Sequence, residues 1–232
     1  MKKHGKKFIE VSNKVEANKV YTVLEAIKLV KETSITKFDG TVEIAFKLNI
    51  DSKKSDQQLR GSLVLPHGTG KDKKVVVIAK GNLAEEAKAA GADIVGDKEL
   101  LEKIKTESWF DFDVMVASPD MMPEVGKIGN ILGPRGLMPN PKVGTVTPKV
   151  ADAVKNIKSG MVAYKNDTYG NIHTIVGKVS FDDQKLLENI NFAISTISKA
   201  KPTTVKGKFI ENVTLTSTMG PGIKLDKNTF DI

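Results

Sequence analysis

The feature that most constrains this chain is a change of hydrophobic rhythm part-way along it, followed by a change back. From Lys74 to Ser159 short apolar runs alternate with amphipathic segments: VVVIAK (75–80), LAEEAKAAG (83–91), ADIVG, ELLEKIK, DVMVAS (113–118) and KVADAVKNIKSG. A run with no polar face must be buried on both sides, and an amphipathic helix between two such runs returns the chain to start a parallel neighbour. Gly91 stops the first helix, and the last sets Val150, Ala153, Val154 and Ile157 on one face before ending at Gly160. The pattern predicts a small doubly wound α/β block.

The segments on either side follow a different grammar. TVLEAIKLVKE opens with Thr22 and Glu25, the spacing of a capping box, and continues as an amphipathic helix. TVEIAFKLNID (41–51) and RGSLVLP (60–66) alternate apolar and polar residues, so each predicts a strand with one wet face. Beyond Gly160, VAYKND, a tight turn over Asp167 to Gly170, and IHTIVGKVSF read as a hairpin. A helix follows from Asp182 with Leu186, Leu187, Ile190, Ala193, Ile194 and Ile197 inward, then a strand in KFIENVTLTST. The expectation is α/β and α+β in two domains, with 232 residues and 40% hydrophobic content enough for two cores.

Charge divides along the same line. Residues 1–67 and 160–232 hold 22 basic and 15 acidic side chains, whereas residues 68–159 hold 14 and 13, so nearly all of the formal +8 lies in the flanks. A pI near 9.4 favours polyanions, and attraction to phosphate is expected mainly from the flanking segments. The absence of cysteine excludes disulfides, zinc–cysteine sites and a cysteine nucleophile, and suits a reducing cytoplasm. The basic start MKKHGKKFIEVSNK lacks the apolar stretch of a signal peptide and reads as a mature start, and no run approaches the ~20 apolar residues of a membrane span.

Nucleotide motifs fail on inspection. PHGTGKDKK (66–74) has a Gly-Lys pair, but Leu65 stands where a P-loop needs its first glycine and Asp72 where it needs a hydroxyl. It reads instead as a glycine-rich connector that lets two bodies swing. After VVVIAK, GNLAEEAKAAG supplies one glycine where a dinucleotide fingerprint wants three, so no cofactor is expected. His4, His67 and His173 are scattered, and the pairs Asp111 with Asp113 and Asp182 with Asp183 suit strand entry and a helix start; no metal site or catalytic constellation emerges.

Two short stretches carry more. In TKFDGTVEIAFK (36–47), Lys37 and Phe38 precede a strand starting near Thr41, and an aromatic beside a lysine suits stacking on a base with the amine on phosphate. Composition alone favours an ordinary core phenylalanine at position 38. TSTMGPG (216–222) joins hydroxyls, a methionine and two glycines at a strand end. His173 is the one histidine suited to meeting RNA, and a solvated strand histidine is the alternative.

Read in order, KFDGTVE, SDQQLRGSLVLPHGTGK, GADIVG, GNILGPRGLMPNPKVGTV, YKNDTYGNIHTIVGK and TSTMGPG closely resemble the bacterial ribosomal protein L-one family over essentially the whole chain. The resemblance implies a discontinuous rRNA-binding domain (1–67 and 160–232) with a Rossmann-like three-layer domain (68–159) inserted through hinge strands. It implies a non-enzymatic constituent of the large ribosomal subunit, monomeric when free, that binds 23S rRNA at the mobile stalk. It also implies help in releasing deacylated exit-site tRNA, and repression of its own operon through the mRNA. Lys37, Phe38 and Thr41, with Glu43 beside them, match the family's first RNA-contacting cluster; Thr218, Met219 and Gly220 match the second, on a strand expected next to the first. Thr218 is expected to bond a 2′-OH or phosphate, Met219 and Phe38 to form an apolar platform, and Gly220 to allow close backbone approach. Lys165, Asn166 and His173 are further candidates, and Arg135, in a proline-stiffened surface loop, is a candidate secondary RNA contact. The closing KLDKNTFDI aligns with nothing in the pattern and takes no role. The rival readings are an enzyme with a nucleotide-binding α/β domain and a nonspecific basic protein that coats nucleic acid.

Overall fold

The computed structural model describes residues 5–16 and 19–226. The chain falls into two compact units, one ending at Gly70 and resuming at Val162, the other Lys71–Met161. The residues separating these bounds from those of the charge count carry no charge, so the first unit holds an excess of seven basic side chains and the second an excess of one.

The first unit begins with α1 (Lys6–Ser12) and α2 (Val23–Glu32). The capping box at the start of α2 is formed: Glu25 N–H donates to Thr22 Oγ1, and Thr22 N–H donates back to the Glu25 carboxylate at 3.0 Å. Its strands are β1 (Thr41–Leu48), β2 (Arg60–Val64), the end of β6 (Met161–Lys165), β7 (Asn171–Lys178), β8 (Ile210–Ser217) and β9 (Ile223–Lys224); α8 (Asp183–Lys199) follows β7. Four strands form one sheet in the order β7-β1-β8-β9, with all three pairings antiparallel.

Alternation in the sequence now has a physical meaning. Val42, Ile44, Phe46 and Leu48 of β1, Ile172 and Val176 of β7, and Val213 and Leu215 of β8 are buried together with α2 and α8. The residues between them, Glu43, Ala45 and Lys47 on β1 and His173 on β7, stand on the uncovered face. Helices therefore cover one side of the sheet and leave the other open.

The hairpin expected from VAYKND and IHTIVGKVSF does not form as a paired ribbon. β6 pairs with β2 in a separate two-stranded sheet and β7 pairs with β1; only an isolated Asn166–Ile172 bridge links the two beside the turn. Both strands are amphipathic, and each finds a better partner elsewhere. The Asp182 helix matches its inward face except at Leu187, which is half-buried, while Asn189 is buried unexpectedly. Asn189 Oδ1 accepts from His67 N at 3.1 Å, and its amide donates to Gly68 O at 3.1 Å and Val176 O at 2.8 Å. The glycine-rich stretch after Pro66 is thus gripped by α8. At Gly70, which is left-handed at φ 72°, a Cβ would meet Lys178 Cγ at 2.8 Å. At Gly70 the lack of a side chain thus permits close packing against Lys178 and Phe181.

The closing KLDKNTFDI begins inside the fold: Lys224 ends β9, and Tyr21 N–H donates to Lys224 O at 2.9 Å. Residues 227–232 of that stretch lie outside the described residues, as does His4.

The second unit contains β3 (Val75–Ile78), α3 (Asn82–Ala89), β4 (Ile94–Gly96), α4 (Lys98–Glu107), β5 (Val114–Ala117), the short helices α5 (Met122–Gly126) and α6 (Gly129–Leu132), and α7 (Val150–Lys158). Its sheet is parallel in the order β4-β3-β5, and every residue of β3 is buried, as a run without a wet face requires. α3 and α7 pack together, and α7 also packs on β3 and β5. Leu101 and Ile104 of α4 join Val125 and Leu132 in a core with Val76 and Ile78.

Candidate nucleic-acid interface

Thr41 and Thr218 meet where β1 begins and β8 ends. Thr218 N–H donates to Thr41 O at 2.9 Å, Thr41 N–H donates to Thr218 Oγ1 at 2.9 Å, and Thr218 Oγ1 donates back to Thr41 O at 3.3 Å. The two candidate clusters, far apart in the chain, are brought together by this junction. It also limits what Thr218 can offer a ligand. Its hydroxyl hydrogen is directed at Thr41 O, so it suits a donor such as a ribose 2′-OH better than a phosphate, which only accepts.

Phe38 is 65% exposed, so it is not the core residue that composition favoured. It sits in a loop pinned on both sides. Thr36 Oγ1 donates to Phe38 O at 3.0 Å, and the Asp39 carboxylate accepts from Ser180 N at 3.1 Å and Ser180 Oγ at 2.8 Å. Lys178, opposite Thr41 on β7, donates from Nζ to Thr41 Oγ1 at 3.0 Å. Lys37 is exposed and pairs with no carboxylate among the described residues. Glu43 is exposed on the open face between Ile175 and Thr216; a carboxylate there repels phosphate and suits a base amino group or a ribose hydroxyl.

Met219 is 72% exposed and left-handed at φ 63°, one of two such non-glycine residues among those described. A side chain held out to solvent on a strained backbone is the kind of feature that clusters at ligand sites. Gly220 turns the chain immediately afterwards, with its N–H donating to Ser217 O at 2.8 Å. A Cβ at Gly220 would lie 2.4 Å from Ser217 Oγ and 3.2 Å from Ser217 O, so a larger residue there would have to displace the Ser217 hydroxyl.

The remaining candidates separate by exposure. Lys165 and His173 are exposed. Asn166 is buried and its amide is committed: Oδ1 accepts from Leu59 N at 2.7 Å and Nδ2 donates to Asp167 O at 2.9 Å. Its role is to fix the turn after β6, which corrects the expectation of an RNA contact at this residue.

In the second unit the segment 129–144 holds α6 and a 3-10 turn over Pro141–Val143, both more regular than the loop expected. Thr145 Oγ1 accepts from Asn140 N at 2.7 Å, and Thr145 O accepts from Ala117 N at 3.0 Å, tying the segment to β5. Arg135 is exposed, with its guanidinium 3.7 Å above the Phe110 ring. Stacking orients that group while leaving its N–H edge open to an acceptor. Among the described residues no cluster of His, Cys, Asp and Glu could hold a metal ion. No described helix is long and apolar enough to cross a membrane.

A model of the ribosomal protein L1p/L10e family matches residues 30–221. The chain belongs to that family. The matched span contains both halves of the Thr41–Thr218 junction and Arg135. Membership makes this a ribosomal protein, a component of a ribonucleoprotein engaged in translation and associated with the large subunit and its rRNA. The L1p/L10e family is structural and not enzymatic.

Sequence reasoning missed the groups that shape this L1-family surface, Lys178, Asp39 and Ser180. Nothing in the string aligns position 178 with Thr41; only the β1–β7 register does. The one available hint was the short spacing between Asp39 and Thr41, typical of an acidic side chain bonding nearby backbone, but its partner lies across the sheet at Ser180.

Proposed function

We propose that this chain binds 23S rRNA at the mobile stalk of the large subunit, through the surface formed by Lys37, Phe38, Thr41 and Glu43 with Thr218, Met219 and Gly220. The observation that carries the reading is the pair of exposed apolar side chains, Phe38 and Met219, on pinned backbone beside a hydrogen-bonded strand junction. Bases splayed from a folded RNA stack on such groups, and the excess of seven positive charges in this unit supplies attraction to phosphate. On this reading the discontinuous unit is the rRNA-binding domain and the inserted, Rossmann-like unit makes the secondary contact through Arg135. The protein is a free monomer in the cytoplasm before assembly and then helps release deacylated tRNA from the exit site. It represses its own operon by binding a stalk-like element in the mRNA with the same surface.

The test is a gel shift of the intact chain on a stalk rRNA fragment and on an unrelated hairpin at one salt concentration. Selective binding to the stalk, weakened in Phe38→Ala and Met219→Ala, is expected. Equal affinity for both RNAs would leave only a nonspecific basic protein, and unchanged binding in both variants would remove the platform.

A further inference from the structure

The open face of the four-stranded sheet continues past the Thr41–Thr218 junction. Six residues along β1 from Thr41, about 20 Å away, is Lys47. Lys47 Nζ donates to the backbone oxygen of Tyr169, at the tip of the turn that leads into β7. Tyr169 is 77% exposed, the most exposed of the large apolar side chains described, and among the described residues no ring or cation packs against its ring.

An exposed aromatic on a loose loop means little, but this turn is clamped. One oxygen of the Asp167 carboxylate accepts from Tyr169 N at 2.8 Å and Asn171 N at 2.7 Å, and the other from Asn171 Nδ2 at 2.9 Å. Those donors hold the Asp167 carboxyl below the usual aspartate range, led by the Asn171 N–H. Ser52 Oγ donates to Thr168 O, and Leu48 N–H donates to Gly170 O at 2.9 Å. Gly170 is left-handed at φ 79°, where a Cβ would come within 3.0 Å of Leu48 O. Tyr169 is therefore presented on an ordered backbone, so a ligand gains the ring without the cost of ordering the turn. The ammonium of Lys47 and the imidazole of His173 stand on the same face, which fits a phosphate backbone better than an apolar protein partner.

We propose that Tyr169 is a second base-stacking residue of the RNA surface, and that one strand of the bound RNA runs along the open sheet face from Phe38 and Met219 to Tyr169. The inference rests on the reading of the Phe38 end as the RNA site. Binding of intact Tyr169→Ala, Tyr169→Phe and Phe38→Ala proteins to a stalk rRNA fragment tests it, with thermal unfolding recorded for each. Tyr169→Ala is expected to weaken binding about tenfold with unchanged melting, and Tyr169→Phe to bind within about threefold of the parent. Hydroxyl-radical protection lost in Tyr169→Ala should map to nucleotides other than those lost in Phe38→Ala. Parental affinity in Tyr169→Ala, with Phe38→Ala weakened, overturns the second stacking residue and leaves the first site standing. Equal loss in the alanine and phenylalanine variants also overturns it, because phenylalanine keeps the ring. Parental affinity in all three removes both readings.

Discussion

Met219 allows backbone strain and RNA binding to be separated by two substitutions at one position. Its φ of 63° costs a residue with a Cβ about 1–2 kcal/mol. Glycine relieves that cost but gives back roughly 0.4–1 kcal/mol through the greater freedom of the unfolded chain. The side chain is 72% exposed, so either substitution forfeits only about 0.5 kcal/mol of burial. Met219→Ala keeps the strain and should destabilise by about 0.5 kcal/mol, whereas Met219→Gly should lie about 1 kcal/mol above the alanine variant. If the thioether forms the platform with Phe38, both variants lose it, and affinity for stalk RNA should fall by about 1–3 kcal/mol in each. Urea unfolding at equilibrium and filter binding at fixed salt read the two quantities independently. A glycine variant less stable than the alanine variant by about 0.4–1 kcal/mol would show that the left-handed backbone carries no strain; parental RNA affinity in both would show that the side chain does not touch RNA.

Other parts of the structure make separate demands. Asn189→Ala should destabilise the first unit by about 2–4 kcal/mol in denaturant unfolding, because His67 N–H and the Gly68 and Val176 carbonyls lose their partner; a loss under 1 kcal/mol would mean those groups find others. Arg135→Glu should weaken ribosome-level function, read as translation rate with variant-reconstituted subunits, more than binding to isolated stalk RNA; an equal loss in both would place Arg135 in the primary site. Asp167 has a depressed pKa when folded, so its contribution to stability is present above the unfolded aspartate value of about 3.9 and is lost as pH falls through the folded value. The amide resonances of Tyr169 and Asn171 should therefore hold steady down to about pH 4 and shift together below it. A shared transition well above that would contradict the carboxylate clamp.

Much of the fold was legible because hydrophobic period reports burial directly. Val75–Ile78 could only be a strand covered on both faces, and Val42, Ile44 and Phe46 only one face of a half-covered strand. The Thr22 and Glu25 cap and the stop at Gly160 are local, set by groups within a few residues of each other, and the string carries them completely. Pairing is not local. The amphipathic pattern of VAYKND and IHTIVGKVSF is equally satisfied by a hairpin or by two different partners, and the competition among β1, β2, β6 and β7 for hydrogen bonds decided it.

The candidate interface divides in the same way. Residue types at Lys37, Phe38, Thr218 and Met219 and their family pattern were fixed by sequence. Their meeting was decided by β1 pairing with β8, across a separation of 177 residues between Thr41 and Thr218. Exposure was likewise a tertiary outcome: Phe38 faces solvent on a loop tied down through Thr36 and Asp39, and Asn166 is buried where it accepts from Leu59 N–H. Sequence determines which chemical groups exist and the local geometry each prefers. Which of them share a surface depends on long-range strand register, a collective property of the packed chain that no short stretch encodes.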